Sequence, residues 1–368
     1  MPVSRVDHVS GGALDERTGQ PAGPADPFGR PWRRRWALGV LAVVVLAVGV
    51  VAIALGRYEV PVGDVIRILA SRMLPVQGNW DTTEYDVVIL VRLPRILLTM
   101  LVGAGLATSG AVLQAVLRNP VADPQILGVS SGASFGGALM IFLGLGSIPL
   151  VSAAFGFGIL ALVIVFFAGR AAGSGPTLTI VLAGVVTAAF FTALVSFLTF
   201  LANPETQLQS IVFWLLGSFA SATYSQDLIA VIPVLCGIAV VLALRWRVNV
   251  LSLGDEDARA VGVNPQVVRW VLLFCVAIIT SASVAVSGVI GWVGLVIPHI
   301  ARPLAGPDHR RLLPASALLG AGYLTVIDTI ARSVLPAEIP VGVVTAVVGA
   351  PVFFVLLRRA RNRIWADA

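Results

Sequence analysis

Long apolar runs alternate with short polar segments along most of the chain. Ten runs stand out, each rich in Leu, Val, Ile, Ala, Gly and Phe. A helix needs about 20 such residues to cross the hydrocarbon core of a bilayer, so the pattern predicts ten transmembrane helices. The runs are Trp36–Leu55, Leu93–Leu117, Gln125–Leu143, Ile148–Ala168, Leu178–Leu201, Leu228–Leu244, Val268–Ser287, Val289–Ile300, Pro314–Val334 and Val341–Leu357.

Small residues recur three or four positions apart inside several runs, a spacing that lets helix backbones approach closely. Examples are "VGAGLATSGAV" (Val102–Val112), "GASFG" (Gly132–Gly136) and "GVIGWVGL" (Gly288–Leu295). The eighth run, Val289–Ile300, is too short to span alone, so it must continue from the preceding helix or be partly re-entrant. The sequence thus predicts an all-α membrane protein, a polytopic bundle.

Composition agrees with a membrane location. Hydrophobic residues make up 57% of the 368-residue chain and its mean hydropathy is +0.93, more apolar surface than a soluble protein could bury. All 25 basic residues are arginine, which excludes a P-loop lysine and Schiff-base catalysis. Cys236 and Cys275 lie within apolar runs, which indicates packing rather than a disulfide or a metal site.

Arginines orient the chain. "RPWRRRW" precedes the first run and "LLRRARNR" follows the last, so the positive-inside rule places both termini in the cytoplasm. Span-flanking arginines also explain the net charge of +6 without a nucleic-acid partner. We expect a disordered cytoplasmic tail over residues 1–31, a transmembrane domain over residues 32–360 and a cytoplasmic tail over residues 361–368. A signal peptide is the alternative for the first run, but its length favours an uncleaved span.

The segment "LSLGDEDARAVGVNP" (Leu251–Pro265) places four charged residues within five positions. Gly254 can begin a short helix whose first-turn carboxylates meet the positive end of its dipole. Gly262 fits a left-handed stop, and Asn264 with Pro265 fits the start of another helix. The pattern predicts two short helices at an angle; a plain solvated loop is the alternative.

Four segments, in order, closely resemble the FecCD-type permeases of bacterial ABC importers. The segments are "RLPRILLTMLVGAGLATSGAVLQAVLRNPVADPQILGVSSGAS" (Arg92–Ser134), "LSLGDEDARAVGV" (Leu251–Val263), "GWVGLVIPHIARPLAGPDHRRLLP" (Gly291–Pro314) and "PVGVVTAVVGAPVFFVLLRR" (Pro340–Arg359). The resemblance implies a type II ABC importer permease in the bacterial cytoplasmic membrane. It implies a transport subunit rather than an enzyme.

The resemblance also implies partners. These are a second permease copy or paralogue, an ATPase dimer that binds ATP and Mg²⁺, an extracytoplasmic substrate-binding protein and the surrounding lipid. No cofactor is expected in this chain itself. Ferric siderophore is the expected cargo, since it is the commonest in the family, and haem and cobalamin are the alternatives.

Docking on the ATPase is the role that the resemblance implies for the cytoplasmic helices near residues 252–265. An apolar patch of Leu253, Ala258 and Val261 would face the partner. The expected coupling residues are Leu253, Gly254, Asp255, Glu256, Asp257, Ala258, Arg259, Val261 and Gly262.

Three arginines lie against the positive-inside trend. Arg92 and Arg95 lie at the outer end of the second run, and Arg332 lies near the outer end of the ninth. The resemblance implies that they receive glutamates of the binding protein. Snorkelling at the membrane interface is the alternative for all three, and an i, i+4 pair with Asp328 is a further one for Arg332.

Asp328 is the acid well inside a run, and it supports a rival function. A proton-coupled secondary transporter could use it, because intramembrane acids are expensive and often functional. Pairing with Arg332 favours a structural role instead. Pro298 and His299 mark the predicted cytoplasmic end of span eight, where His299 could be a pH switch but helix termination is the favoured interpretation.

The fifth run offers hydroxyls for a translocation path. These are Thr177, Thr187, Thr192 and Ser196, and the resemblance implies a cytoplasmic gate near Thr177. Helix packing by the same hydroxyls is the alternative.

Overall fold

The computed structural model describes residues 31–75, 78, 80–171 and 176–366. Most of the tail predicted over residues 1–31 lies outside these ranges. Every regular element in the described part is helical. The α-helices are α1 (Pro31–Ala54), α2 (Val62–Ser71), α3 (Thr82–Asp86), α4 (Leu93–Val116), α5 (Val129–Phe142), α6 (Ser147–Ala171), α7 (Pro176–Leu201), α8 (Leu208–Leu215), α9 (Tyr224–Ala243), α10 (Arg245–Leu253), α11 (Asp255–Ala260), α12 (Pro265–Ser287), α13 (Val293–Ala305), α14 (His309–Ser333) and α15 (Val341–Ala366).

The predicted membrane spans correspond to these helices. Six are long and apolar enough to cross a bilayer: α1, the continuous stretch Thr82–Val116 that ends in α4, α6, α7, α12 and α14. A seventh, α9, continues into α10 after a bend of 61°. The apolar helices α5, α13 and the first part of α15 are shorter. Together they account for all ten predicted runs, and the polytopic all-α fold is confirmed.

A π-helical turn, Val87–Arg92, joins α3 to α4. It makes the stretch from Thr82 to Val116 continuous, with the extra residue of a π turn near its N-terminal end. The Tyr224 hydroxyl at the start of α9 donates to the Ile89 carbonyl inside this turn. A side chain from a neighbouring helix thus bonds to the backbone where the α-helical pattern is interrupted.

Helix α4 lies at the centre of the bundle, against α9, α12, α13 and α14. Two of its glycines permit backbone contact. A Cβ atom added at Gly103 would lie 2.3 Å from the Gly320 carbonyl oxygen, and one at Gly110 would lie 1.9 Å from that of Gly294. The small-residue spacing therefore marks the contact of α4 with α13 and α14.

The short eighth span is a separate helix. Residues 288–292 are not helical, and Trp292 adopts a positive φ of 72° just before α13. Pro298 lies inside α13 rather than at its end, so the predicted termination there is wrong. Proline has no N–H to bond to the residue four positions earlier, and the Gln114 side-chain amide donates to that carbonyl, Gly294, at 3.3 Å instead.

Candidate functional site

Helix α11 is built by local backbone chemistry. Gly254, with φ of 150°, separates it from α10, and Gly262, with φ of 76°, ends it. The Val263 N–H donates to the Ala258 carbonyl at 2.9 Å, and the Gly262 N–H donates to that of Arg259 at 3.0 Å. These bonds satisfy carbonyls that a helix end leaves free. The predicted start and stop of this helix are confirmed.

The helix that follows α11 differs from the prediction. The Asn264 side chain accepts from the N–H groups of Gln266 and Val267 at 3.1 and 3.3 Å, so the cap itself is confirmed. The helix it begins is α12, the long seventh span, and not a second short helix. No breaker interrupts the sequence after Pro265, so the helix continues directly into the apolar run. The two short helices are α10 and α11.

Burial changes the predicted apolar patch. Leu253 is 71% exposed and Val261 is 56% exposed, but Ala258 is fully buried in the core of this chain. Ala258 faces inwards because α11 packs that side against α12 and its neighbours. The surface around α11 that a partner can reach therefore contains Leu253, at the end of α10, and Val261, just after α11, without Ala258.

The charges of α11 divide into two groups. The Asp255 carboxylate lies 2.7 Å from Arg269 on α12 and 3.7 Å from Arg118 after α4. Arg269 is only 2% exposed, so this acid provides the counterion of a buried arginine. Glu256, Asp257 and Arg259 are exposed. Asp255 thus attaches α11 to the bundle, and the other three charges remain on the surface.

The three arginines predicted to lie at the outer face are found at the end of the bundle opposite α11. The Arg92 guanidinium donates to the Ile53 and Ala54 carbonyls at 2.6 and 2.9 Å and also to that of Tyr58. Arg332 donates to the Ala52 carbonyl. The last carbonyls of a helix have no partner within it and carry partial negative charge. Arg92 and Arg332 therefore cap the C-terminus of α1.

Arg95 is held by two carboxylates. Its Nε and Nη2 donate to Asp328 on α14 at 3.0 and 2.8 Å. Its Nη1 and Nη2 donate to Glu338, in the loop before α15, at 2.9 and 3.0 Å. The Asp328 side chain is fully buried, whereas that of Glu338 is 32% exposed. Glu338 is the more accessible of the two partners.

The predicted path residues do not share one environment. Thr187 is buried, whereas Thr192 and Ser196 are exposed on α7. The Ser196 hydroxyl donates to the Thr192 carbonyl at 3.0 Å. Thr177 belongs to α7, but its side chain lies outside the described part. The exposed face of α7 is otherwise apolar and includes Phe190, Phe197 and Phe200.

His299 belongs to a polar chain on α13. Its Nε2 lies 2.8 Å from the Pro120 carbonyl oxygen, which assigns the proton to that nitrogen. Arg302 lies 3.3 Å from the other ring nitrogen and donates to Gln114 at 2.7 Å. The chain joins α13 to the loop after α4. Across the described residues, no group of three or more His, Cys, Asp or Glu side chains could hold a metal ion.

The family of this chain follows from its match to a known family. The model of the FecCD transport family matches residues 43–359, which includes both the α11 end and the arginine end. The chain belongs to the FecCD transport family.

Relatives of this FecCD permease import different cargoes. It is 41% identical to the molybdate import system permease protein MolB of Haemophilus influenzae, over 88% of this chain and 95% of that protein. It is also 41% identical to a probable iron chelatin transport system permease protein of Helicobacter pylori, over 88% and 96%. Hemin and vitamin B12 permeases also match.

A solved structure agrees with this assignment. The chain resembles an inward-facing metal-chelate type ABC transporter with a TM-score of 0.80 and 40% identity, over 88% of this chain and 98% of that one. The FecCD permease is therefore a multi-pass ABC importer subunit for transport.

Sequence reasoning missed several residues of these sites. It paired Asp328 with Arg332, which lies 3.7 Å away, but the closer partner is Arg95. The sequence indicates a role for Glu338 only weakly, because it is a single acid in the short loop between α14 and α15. Asp328 has ion pairs with Arg95 and Arg332, and these partners offset the cost of its burial. A structural role therefore accounts for this acid, which weakens the case for a proton-coupled transporter centred on it.

Replacing Arg95 with Met should strongly destabilise the permease. Asp328 would stay buried with only Arg332 nearby, and breaking a buried ion pair costs about 3–5 kcal/mol. Thermal unfolding of the purified protein in detergent measures the effect. Replacing Asp328 with Leu in the same variant should restore part of the loss, since the fully buried carboxylate is then removed as well.

The exposed pair Arg67–Asp64, 3.2 Å apart, provides the control. Arg67→Met should change stability by at most about 1 kcal/mol. Equal melting temperatures for Arg95→Met and Arg67→Met would show that the Arg95 pair contributes no more than a surface pair.

Proposed function

We propose that this permease imports a ferric siderophore across the bacterial cytoplasmic membrane. It would work as one of two permease copies, with both termini in the cytoplasm, an ATPase dimer on the α11 side and a binding protein on the arginine side. The family match over residues 43–359 carries the proposal. Its iron-chelatin relative supports the cargo, while the relative MolB makes molybdate the second candidate.

The surface of α7 supports a chelate over a bare oxyanion. Its sequence from Pro176 to Leu201 contains no charged residue, so it offers no cation to molybdate. A siderophore encloses its metal in an organic shell that needs no such partner. The exposed hydroxyl groups of Thr192 and Ser196 among apolar side chains suit a weakly binding path for such a shell.

Proteoliposomes would test cargo and energy source together. They would contain the permease and its ATPase, with ATP inside and the cognate binding protein outside. We expect uptake of radioactive ferric siderophore that persists with an uncoupler, because the partner's ATP hydrolysis drives it. Haem, cobalamin and molybdate provide the comparison panel.

The outcomes separate the two parts of the proposal. Uptake of molybdate without siderophore would show that the cargo is wrong and leave the energy source intact. Uptake that the uncoupler abolishes, despite internal ATP, would show that the energy source is wrong.

Helix α11 is the proposed contact with the ATPase. Leu253 and Val261 are exposed apolar side chains on either side of the exposed charges Glu256 and Asp257. Asp255 attaches the same helix to buried Arg269. A displacement of α11 by the bound ATPase would therefore be transmitted to α12 through an ion pair as well as through the connecting turn.

Replacing Leu253 and Val261 with Arg should reduce co-purification of the ATPase with the permease. Both positions are exposed, so the fold should tolerate the change, but an unpaired charge in an apolar contact is costly. Met73→Arg is the control, because Met73 is 88% exposed at the opposite end of the bundle. Normal ATPase recovery with the double variant would exclude this surface as the contact.

Arg92, Arg95 and Arg332 are the proposed docking residues for the binding protein. All three are at least nine-tenths buried and already have internal acceptors. An external glutamate would therefore reach Arg95 by displacing Glu338, its more exposed partner. Docking would then exchange one carboxylate for another and leave Asp328 in place.

Glu338→Gln should strengthen association of the cognate binding protein several-fold at low salt, because a neutral amide competes less well for Arg95. Surface plasmon resonance with the permease in nanodiscs measures this. Glu59→Gln makes the same charge change at an exposed position of the same outer face. If Glu338→Gln increases the affinity for the binding protein no more than Glu59→Gln does, the increase comes from net charge alone and not from release of Arg95.

A further inference from the structure

A groove on the outside of the bundle lies between α6 and α12. It has a volume of about 590 Å³. Its walls are aliphatic and aromatic side chains, among them Val163, Phe167, Val271 and Phe274, which are 39–64% exposed. A groove of this kind on a transmembrane surface faces hydrocarbon rather than water.

The groove reaches the membrane boundary on the α11 side. Phe166 and Phe167 lie near the end of α6, and Trp270 lies near the start of α12. The rings of Phe166 and Trp270 meet edge to face, 4.7 Å between centroids. Tryptophan is enriched at the level of lipid headgroups, so this ring pair marks where the groove meets the headgroups.

Arg170 supplies a positive charge at that level. Its guanidinium carbon lies 5.6 Å from the centre of the Phe166 ring, and the side chain is exposed. It forms no ion pair with any residue that the structure describes. The sequences of α6, α7 and α12 contain no acidic residue. An anion that pairs with Arg170 would therefore come from outside the described residues.

We propose that this groove binds an anionic phospholipid, with an acyl chain against Val163, Phe167, Val271 and Phe274 and the headgroup phosphate at Arg170. A phospholipid joins an apolar chain to an anion at the membrane boundary, which is the combination the groove presents. Basic residues beside pockets between transmembrane helices are known to bind anionic headgroups.

A second permease copy fits less well. In a symmetric contact both copies present the same surface, so each Arg170 would face helices α6, α7 and α12 that contain no acid. Such a contact would bury two arginines without counterions, which is costly in a membrane.

Native mass spectrometry of the detergent-purified permease tests the proposal. Phosphatidylglycerol and phosphatidylethanolamine would be added at equal concentrations. We expect the wild-type protein to retain more phosphatidylglycerol, and Arg170→Gln to lose that preference several-fold. Arg245→Gln removes another exposed arginine, on α10 at the same end, and should keep it. Equal preference in the two variants would overturn the headgroup assignment.

Filling the groove tests the acyl-chain site. Val271→Trp and, independently, Val163→Trp should lower retention of both lipids, since both positions are partly exposed in the groove. Melting temperatures would show that each variant is folded. Unchanged lipid retention in these variants would overturn the acyl-chain site. A shifted ratio of monomer to dimer would then indicate that the groove is a contact between copies.

Discussion

The fully buried carboxylate of Asp328 constrains the end of this permease that lies opposite α11. A lone charge at that depth would cost several kcal/mol, so it requires Arg95, which in turn binds Glu338. The resulting ion pairs join α4, α14 and the loop before α15. Arg332, one turn from Asp328, bonds to the end of α1 together with Arg92. Helices α1, α4 and α14 and the loop before α15 therefore meet around one acid.

The other end of the bundle follows the same principle with different residues. Asp255 lies beside buried Arg269, and Gln114 donates to the carbonyl that Pro298 leaves without its usual N–H donor. Within a membrane, backbone and charged groups must find partners inside the protein. The side chains that provide these partners also fix the position of α11 and of the loop after α4. The surface proposed for the ATPase consists of groups that these bonds leave free, whereas the arginines proposed to dock the binding protein are themselves bonded and nearly buried.

Sequence reasoning found what depends on neighbouring residues. Each of the ten apolar runs corresponds to an apolar helix of the described residues, and glycine and asparagine located the limits of α11 and the start of α12. It failed where partners are distant: Arg95 and Asp328 are 233 positions apart. It also placed Ala258 on the surface, because the composition of a six-residue helix does not reveal which face packs inwards. The roles of the exposed residues of α11, of the outer arginines and of the α7 hydroxyls remain proposals.

The π turn at Val87–Arg92 makes the length of this segment as important as its composition. One residue corresponds to about 100° of rotation around a helix. Deleting a single residue from the turn would restore regular winding but turn α3 by that angle relative to Arg95. The Ile89 carbonyl, which accepts from Tyr224, lies inside the same turn and would lose its alignment with that hydroxyl. In homologous chains, gaps in this stretch should therefore be rarer than substitutions.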